Sequence, residues 1–239
     1  HTALRRQRQM CIRDSNDVWA EYFDERTEVR MHSDFVRNNL TTNNTISFSL
    51  DSGEEGGISD PAFLQTSEQF ARWLQAQPEV IHVATYTDIM KRLNKTMHGD
   101  DPAWYRLPEE RELAAQYLLL YEFSLPFGLD TNNLLDAGKA STRITATVAD
   151  SSTDNILGLQ QRSQQWLRDN APSAMYHPGT SSDIMFAHMG YSNIRSMLEG
   201  SALALLIISL ILGFALRSVK FGLISLIPNL IPAAVGFGA

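Results

Sequence analysis

The chain has 239 residues, 44% of them apolar, and a formal net charge of −7. Residues 200–216 and 221–239 hold no Asp, Glu, Lys, Arg or His, whereas residues 16–198 hold 25 acids against 14 bases, which excludes both a uniformly soluble globule and a disordered chain. The acidic middle repels phosphate and argues against a nucleic-acid partner, and the single cysteine, Cys11, excludes an internal disulfide framework and a Cys-based zinc site.

Residues 1–15 contribute +3, from Arg5, Arg6, Arg8 and Arg13 against Asp14. They have no initiator Met, no apolar core and no small-residue cleavage site, so they do not read as a signal peptide. The run Met10-Cys11-Ile12-Arg13-Asp14-Ser15 resembles a translated sequencing-library adaptor, which would make the segment non-native. The competing reading is a basic cytoplasmic arm. The adaptor reading is the better one, and the segment is set aside.

Residues 16–182 read as an α+β domain. Thr45–Asp51 places Ile46, Phe48 and Leu50 on one face and Thr45, Ser47, Ser49 and Asp51 on the other, the period of a half-buried strand. Gly53, Gly56 and Gly57 form a loop. Asp60 as N-cap and Pro61 as first helical residue start a helix with the stripe Phe63, Phe70, Ala71 and Leu74, which Pro78 stops. Val80–Ala84 reads as a second strand. Arg143–Val148 alternates again, with Ile144, Ala146 and Val148 inward. Ser152 and Thr153 can cap a helix striped by Ile156, Leu159, Ser163, Trp166 and Leu167, ending at Asn170–Pro172. Ala174–His177 is a weak fourth strand. Strand–helix–strand, twice, is the ferredoxin-like split βαβ arrangement.

Residues 86–140 form an insertion between the halves. Asp88–Leu93 looks helical, His98–Pro102 is a turn, Glu109–Phe123 is a helix with Leu113, Ala114, Tyr117, Leu118 and Tyr121 on one side, and Ser124–Gly138 is a loop. The insertion reads equally as a substrate-contacting element or as a packing elaboration of the sheet edge.

From Asp183 to Arg217 the pattern is helical throughout, about 50 Å at 1.5 Å per residue. Within it, Gly200–Leu216 is an uncharged run of seventeen residues, and Phe221–Ala239 is a second, of nineteen. Both read as transmembrane helices, the second truncated. Arg217 and Lys220, in the short connection, place that loop in the cytoplasm by the positive-inside rule. Residues 16–198 are then extracytoplasmic. In the second run Pro228 and Pro232 flank Asn229. These residues read either as a hinge or polar lining of a transporter, or as the first turns of a segment that starts at the interface.

No catalytic, cofactor-binding or metal-binding constellation is found. His98, Asp100 and Asp101 have no second ligand cluster, and no nucleophile elbow, Walker loop, dinucleotide fingerprint or zinc-protease motif is present. The chain is expected to be no enzyme and to need no cofactor.

The order of an outer βαβ–βαβ domain, Asn193-Ile194-Arg195-Ser196-Met197-Leu198, a span, Leu216-Arg217-Ser218-Val219-Lys220 and then Leu226-Ile227-Pro228-Asn229-Leu230-Ile231-Pro232 resembles the resistance–nodulation–division superfamily. The stretches Asp88–Asn94, Met97–Pro102 and Arg106-Leu107-Pro108 resemble its MmpL and hydrophobe/amphiphile exporter branch, related to sterol-sensing-domain proteins. The resemblance covers roughly residues 16–239. It implies a fragment of one repeat of a secondary transporter, a multi-pass protein of the plasma (inner) membrane that exports lipophilic or amphiphilic compounds on the proton-motive force. The proton-relay acids of that family lie on a span beyond this sequence, so none is carried over. The implied partners are the lipid bilayer and the remaining transmembrane helices of the full-length transporter; a homo-oligomer is left open. Two alternatives stand beside it: an ABC-type exporter permease with a large outer domain, and a two-span extracytoplasmic sensor.

Overall fold

The computed structural model describes residues 23–39, 42, 44–149, 153–215, 217 and 220. Residues 1–15 and the second apolar run, with Pro228, Asn229 and Pro232, lie outside the described residues. Among the described residues the protein is α+β, with a three-stranded antiparallel sheet and six α-helices, one of them long and apolar. The helices are α1 (Glu28–Asn39), α2 (Pro61–Gln75), α3 (Tyr86–Met97), α4 (Arg111–Ser124), α5 (Thr153–Asn170) and α6 (Ser182–Ala215). The strands are β1 (Thr45–Asp51), β2 (Val80–Ala84) and β3 (Ser141–Val148). The chain divides after Ile184 into an α+β unit and a second unit that holds most of α6.

The alternation in β1 and β3 builds the core. Ile46, Phe48 and Leu50 face Ala146, Ile144 and Thr142 across the ladder, and all six are buried. The sheet order is β1–β3–β2, so β3 lies between two strands that run antiparallel to it and parallel to each other. Helix α2 makes the crossover from β1 to β2. Asp60 starts it as the sequence predicts: its carboxylate accepts the amides of Ala62 at 2.8 Å and Phe63 at 3.3 Å, and Pro61 follows. Phe70 of α2 joins the layers. It meets Phe48 of β1 edge-on at 5.2 Å and Trp166 of α5 at 5.2 Å, with Trp73 stacked at 6.2 Å.

The fourth strand expected at Ala174–His177 is not there. Ser173–Met175 is a 3₁₀ turn, and pairing to β1 is a single bridge at Thr180, which exchanges two backbone bonds with Ser47 at 2.9 and 2.8 Å. Pro172 and Pro178 supply no amide to a ladder, so pairing begins only beyond them. Gly179 is required beside Thr180, because a Cβ there would sit 2.5 Å from Phe48 Cε1. The insertion is also more helical than expected. Thr85 caps α3, its hydroxyl accepting the Thr87 amide, so the helix starts at Tyr86 and continues past Leu93 to Met97.

Candidate functional site: an unburied apolar helix

Helix α6 begins at a capped turn. The Ser181 hydroxyl accepts the Ile184 amide at 3.0 Å, and Ile184 belongs to the core of the α+β unit. Asp183 stands in the first turn, where an acid suits the helix dipole, although burial pushes its carboxyl above the usual value. The helix runs unbroken for 34 residues, about 51 Å at 1.5 Å per residue. A bilayer core of about 30 Å needs about 20 of them.

The two parts of α6 differ in chemistry. Over residues 185–199, His188, Ser192, Arg195 and Glu199 share one exposed face, with Arg195 Nε bonded to Glu199 Oε1 at 2.8 Å. Beyond Glu199 the charges stop. An 18-residue window has a mean hydropathy of 2.1, and none of it is buried. Leu203, Leu206, Ile207, Ile208, Leu210, Ile211 and Phe214 are all exposed, Phe214 to 89%. Together these seven side chains present on the order of 700 Å² of apolar surface, at about 100 Å² each. That exceeds the largest patch of a typical soluble monomer, roughly 300–600 Å². At about 25 cal/mol per Å², leaving it in water forgoes roughly 20 kcal/mol. This is the one helix among the described residues that is long and apolar enough to cross a membrane.

The helix ends at Ala215. Arg217 adopts φ 47°, and its amide bonds to the Phe214 carbonyl at 3.2 Å. Arg217, one of the two predicted loop cations, therefore stands two residues past the helix end, where the dipole favours positive charge.

No protein-family model and no curated protein matches the chain.

In the α+β unit, the segments that carry the resemblance serve to hold α3, the following loop and α4 together. The Asn94 side chain donates to the Arg106 carbonyl at 2.9 Å and accepts the Tyr117 hydroxyl at 3.1 Å. His98 Nδ1 donates to the Asn94 carbonyl at 2.8 Å, and its ring stacks on Trp104 at 3.6 Å. The Arg106 guanidinium covers Trp104 at 4.5 Å. Asp101 caps the 3₁₀ turn Pro102–Trp104 through the Ala103 amide at 2.9 Å. Asp100 sits at φ 62° and accepts the Thr96 hydroxyl at 3.3 Å. His98, Asp100 and Asp101 thus each have a place in the turn.

Sequence reasoning missed a buried ionic cluster. Glu68 of α2 accepts from Thr87 Oγ1 at 2.7 Å, Lys91 Nζ at 2.9 Å and Arg72 Nε at 2.9 Å, and Lys91 also reaches Asp88 at 2.8 Å. Burial pushes the Glu68 carboxyl up, but the three donors outweigh it and hold it below the usual value. Burial likewise pushes the Lys91 ammonium down, and Asp88 and Glu68 more than restore it. The signal was present: Glu68 follows Leu64 by four residues and precedes Ala71 by three, a charge inside an apolar stripe. The cluster ties α2 to α3 and reads as a structural clamp.

Proposed function

We propose that the chain is the extracytoplasmic domain and the following transmembrane helices of one repeat of a multi-pass, plasma-membrane exporter. It moves lipophilic or amphiphilic compounds on the proton-motive force and is of the resistance–nodulation–division kind. The observation that carries this reading is α6: a capped helix, begun at a core residue of an α+β domain, that continues for 34 residues and ends in an unburied apolar stretch. The sheet gives further support. With Thr180 bridged to the free side of β1, the order runs Thr180 segment–β1–β3–β2, the order of a ferredoxin-like split βαβ domain. The acidic outer block, the cations after the helix end and the resemblance in residues 88–108 point the same way.

In this reading the bilayer surrounds the apolar part of α6, with the remaining helices of the full-length transporter beside it. Protonation within those helices shifts a two-state arrangement, and α6 passes the shift to the outer domain. The chain itself holds no acid in its apolar runs, so the proton step belongs to a span outside it.

The test is to read the coding DNA past codon 239. Further apolar spans, with an Asp or Glu in the first of them, support the exporter. Spans without an acid beside an ATPase gene would instead indicate an ABC-type permease. A soluble signalling domain would indicate a two-span sensor.

A further inference from the structure

Strand β2 is an edge of the described sheet, bonded on one side to β3. Alternate residues of such a strand turn their backbone donors and acceptors outward, a ready template for another strand. The sequence makes this edge a hazard. Val80-Ile81-His82-Val83-Ala84 holds no Asp, Glu, Lys or Arg, is rich in β-branched residues and free of proline, and Ile81 is 52% exposed.

The edge is not open. Gln75, the last residue of α2, turns its side chain onto β2. Its Nε2 donates to the Ile81 carbonyl at 3.1 Å, and its Oε1 accepts the Val83 amide at 3.0 Å. One carboxamide thus makes the same donor–acceptor pair that one residue of an adjoining parallel strand would make. Its placement is fixed locally. The Ala76 amide bonds back to Arg72, Trp73 and Leu74, and Gln77 Nε2 bonds to the Trp73 carbonyl at 3.1 Å, holding the turn into β2. Gln75 spends both polar atoms on the strand and neither on its own helix end. A register shift between Val80 and His82 further spoils the template.

We propose that Gln75 is an edge guard: its carboxamide occupies the outward Ile81–Val83 donor–acceptor pair and so prevents a foreign strand, or β2 of a second copy, from adding to the sheet. Partners of this domain then dock on faces and loops and not by strand addition at β2.

The test uses the 239-residue chain in detergent micelles, as wild type, Gln75→Ala and Gln75→Glu. Hydrogen exchange is read at single-residue resolution, and self-association by sedimentation. A synthetic peptide of the sequence Glu79–Ala84 serves as the added strand. For Gln75→Ala the expected results are Val83 amide exchange faster by about five- to tenfold, the scale of one lost hydrogen bond, and concentration-dependent self-association or peptide capture absent in wild type. Gln75→Glu keeps an acceptor for Val83 and is expected to retain most of its protection. Unchanged Val83 exchange in Gln75→Ala would overturn the proposal. So would faster exchange with neither self-association nor peptide capture.

Discussion

Replacing Glu68 by alanine removes the acceptor at the centre of the α2–α3 clamp, and the cost can be worked from its three arms. The Arg72 arm is weak, because that side chain is 76% exposed and the pair is an i,i+4 helix contact worth about 0.3–0.5 kcal/mol. The other two arms are buried. The Glu68 and Lys91 side chains are 9% and 11% exposed, and the Thr87 hydroxyl loses its carboxylate. Breaking a buried pair costs about 3–5 kcal/mol when the remaining charge is stranded. Lys91 keeps Asp88 at 2.8 Å, on a side chain 33% exposed, so the expected loss is about 2–3 kcal/mol. Glu68→Gln keeps an acceptor for Thr87 and is expected to cost about 1–2 kcal/mol.

The pH dependence has a definite sign. The Glu68 carboxyl is held below its ordinary value of 4.5, so its contribution is present above that pH and is lost as pH falls through the folded value. The Lys91 ammonium is held above its ordinary 10.5, so its contribution is present below that pH and lost only as pH rises through the folded value. The gap between wild type and Glu68→Ala is therefore flat between the ordinary values of the two groups, 4.5 and 10.5, and closes as pH falls through the folded value of Glu68, below 4.5. Urea unfolding followed by the fluorescence of Trp73 and Trp166 measures it. A loss under about 0.5 kcal/mol, the scale of an ordinary surface change, would refute the reasoning. A gap that widens on acidification would do the same.

Gly179→Ala forces a Cβ against Phe48 and Ile46, and an overpacking loss of about 1–3 kcal/mol is expected by the same urea assay. Asn94→Ala removes the shared partner of Arg106 and Tyr117. It is expected to cost about 1–3 kcal/mol and to raise hydrogen exchange in residues 98–110 more than in β1. Phe127 is fully exposed on the loop after α4, so Phe127→Ser is expected to leave the unfolding midpoint within about 0.5 kcal/mol of wild type.

The elements that were legible are those with a local cause. The period-two pattern of β1 and β3 and the Asp60–Pro61 start of α2 need no tertiary information, and both are found where the sequence puts them. Helix α6 was legible from composition, since nothing between Asp183 and Ala215 breaks it. The fourth strand does not form because Pro172 and Pro178 bracket the run Ala174–His177 and donate no amide to a ladder. Helix α3 is longer than its sequence suggests, because its N-cap, Thr85, is extended and follows directly on strand β2, and its sequence is polar overall. The Glu68–Lys91 pair joins residues 23 apart on different helices, and the Gln75 contacts depend on how β2 folds back under α2. Neither follows from spacing alone.

The most direct test of the account is a cysteine scan along α6 in a Cys11→Ser background, with the chain in lipid vesicles and a membrane-impermeant maleimide as the label. The account predicts labelling at Met189 and Met197, on the part that precedes the apolar stretch. It predicts none at Leu203, Leu206 and Leu210 until detergent dissolves the bilayer. Equal labelling of Leu203, Leu206, Leu210 and Met189 in intact vesicles would contradict it, because the apolar half of α6 would then stand in water.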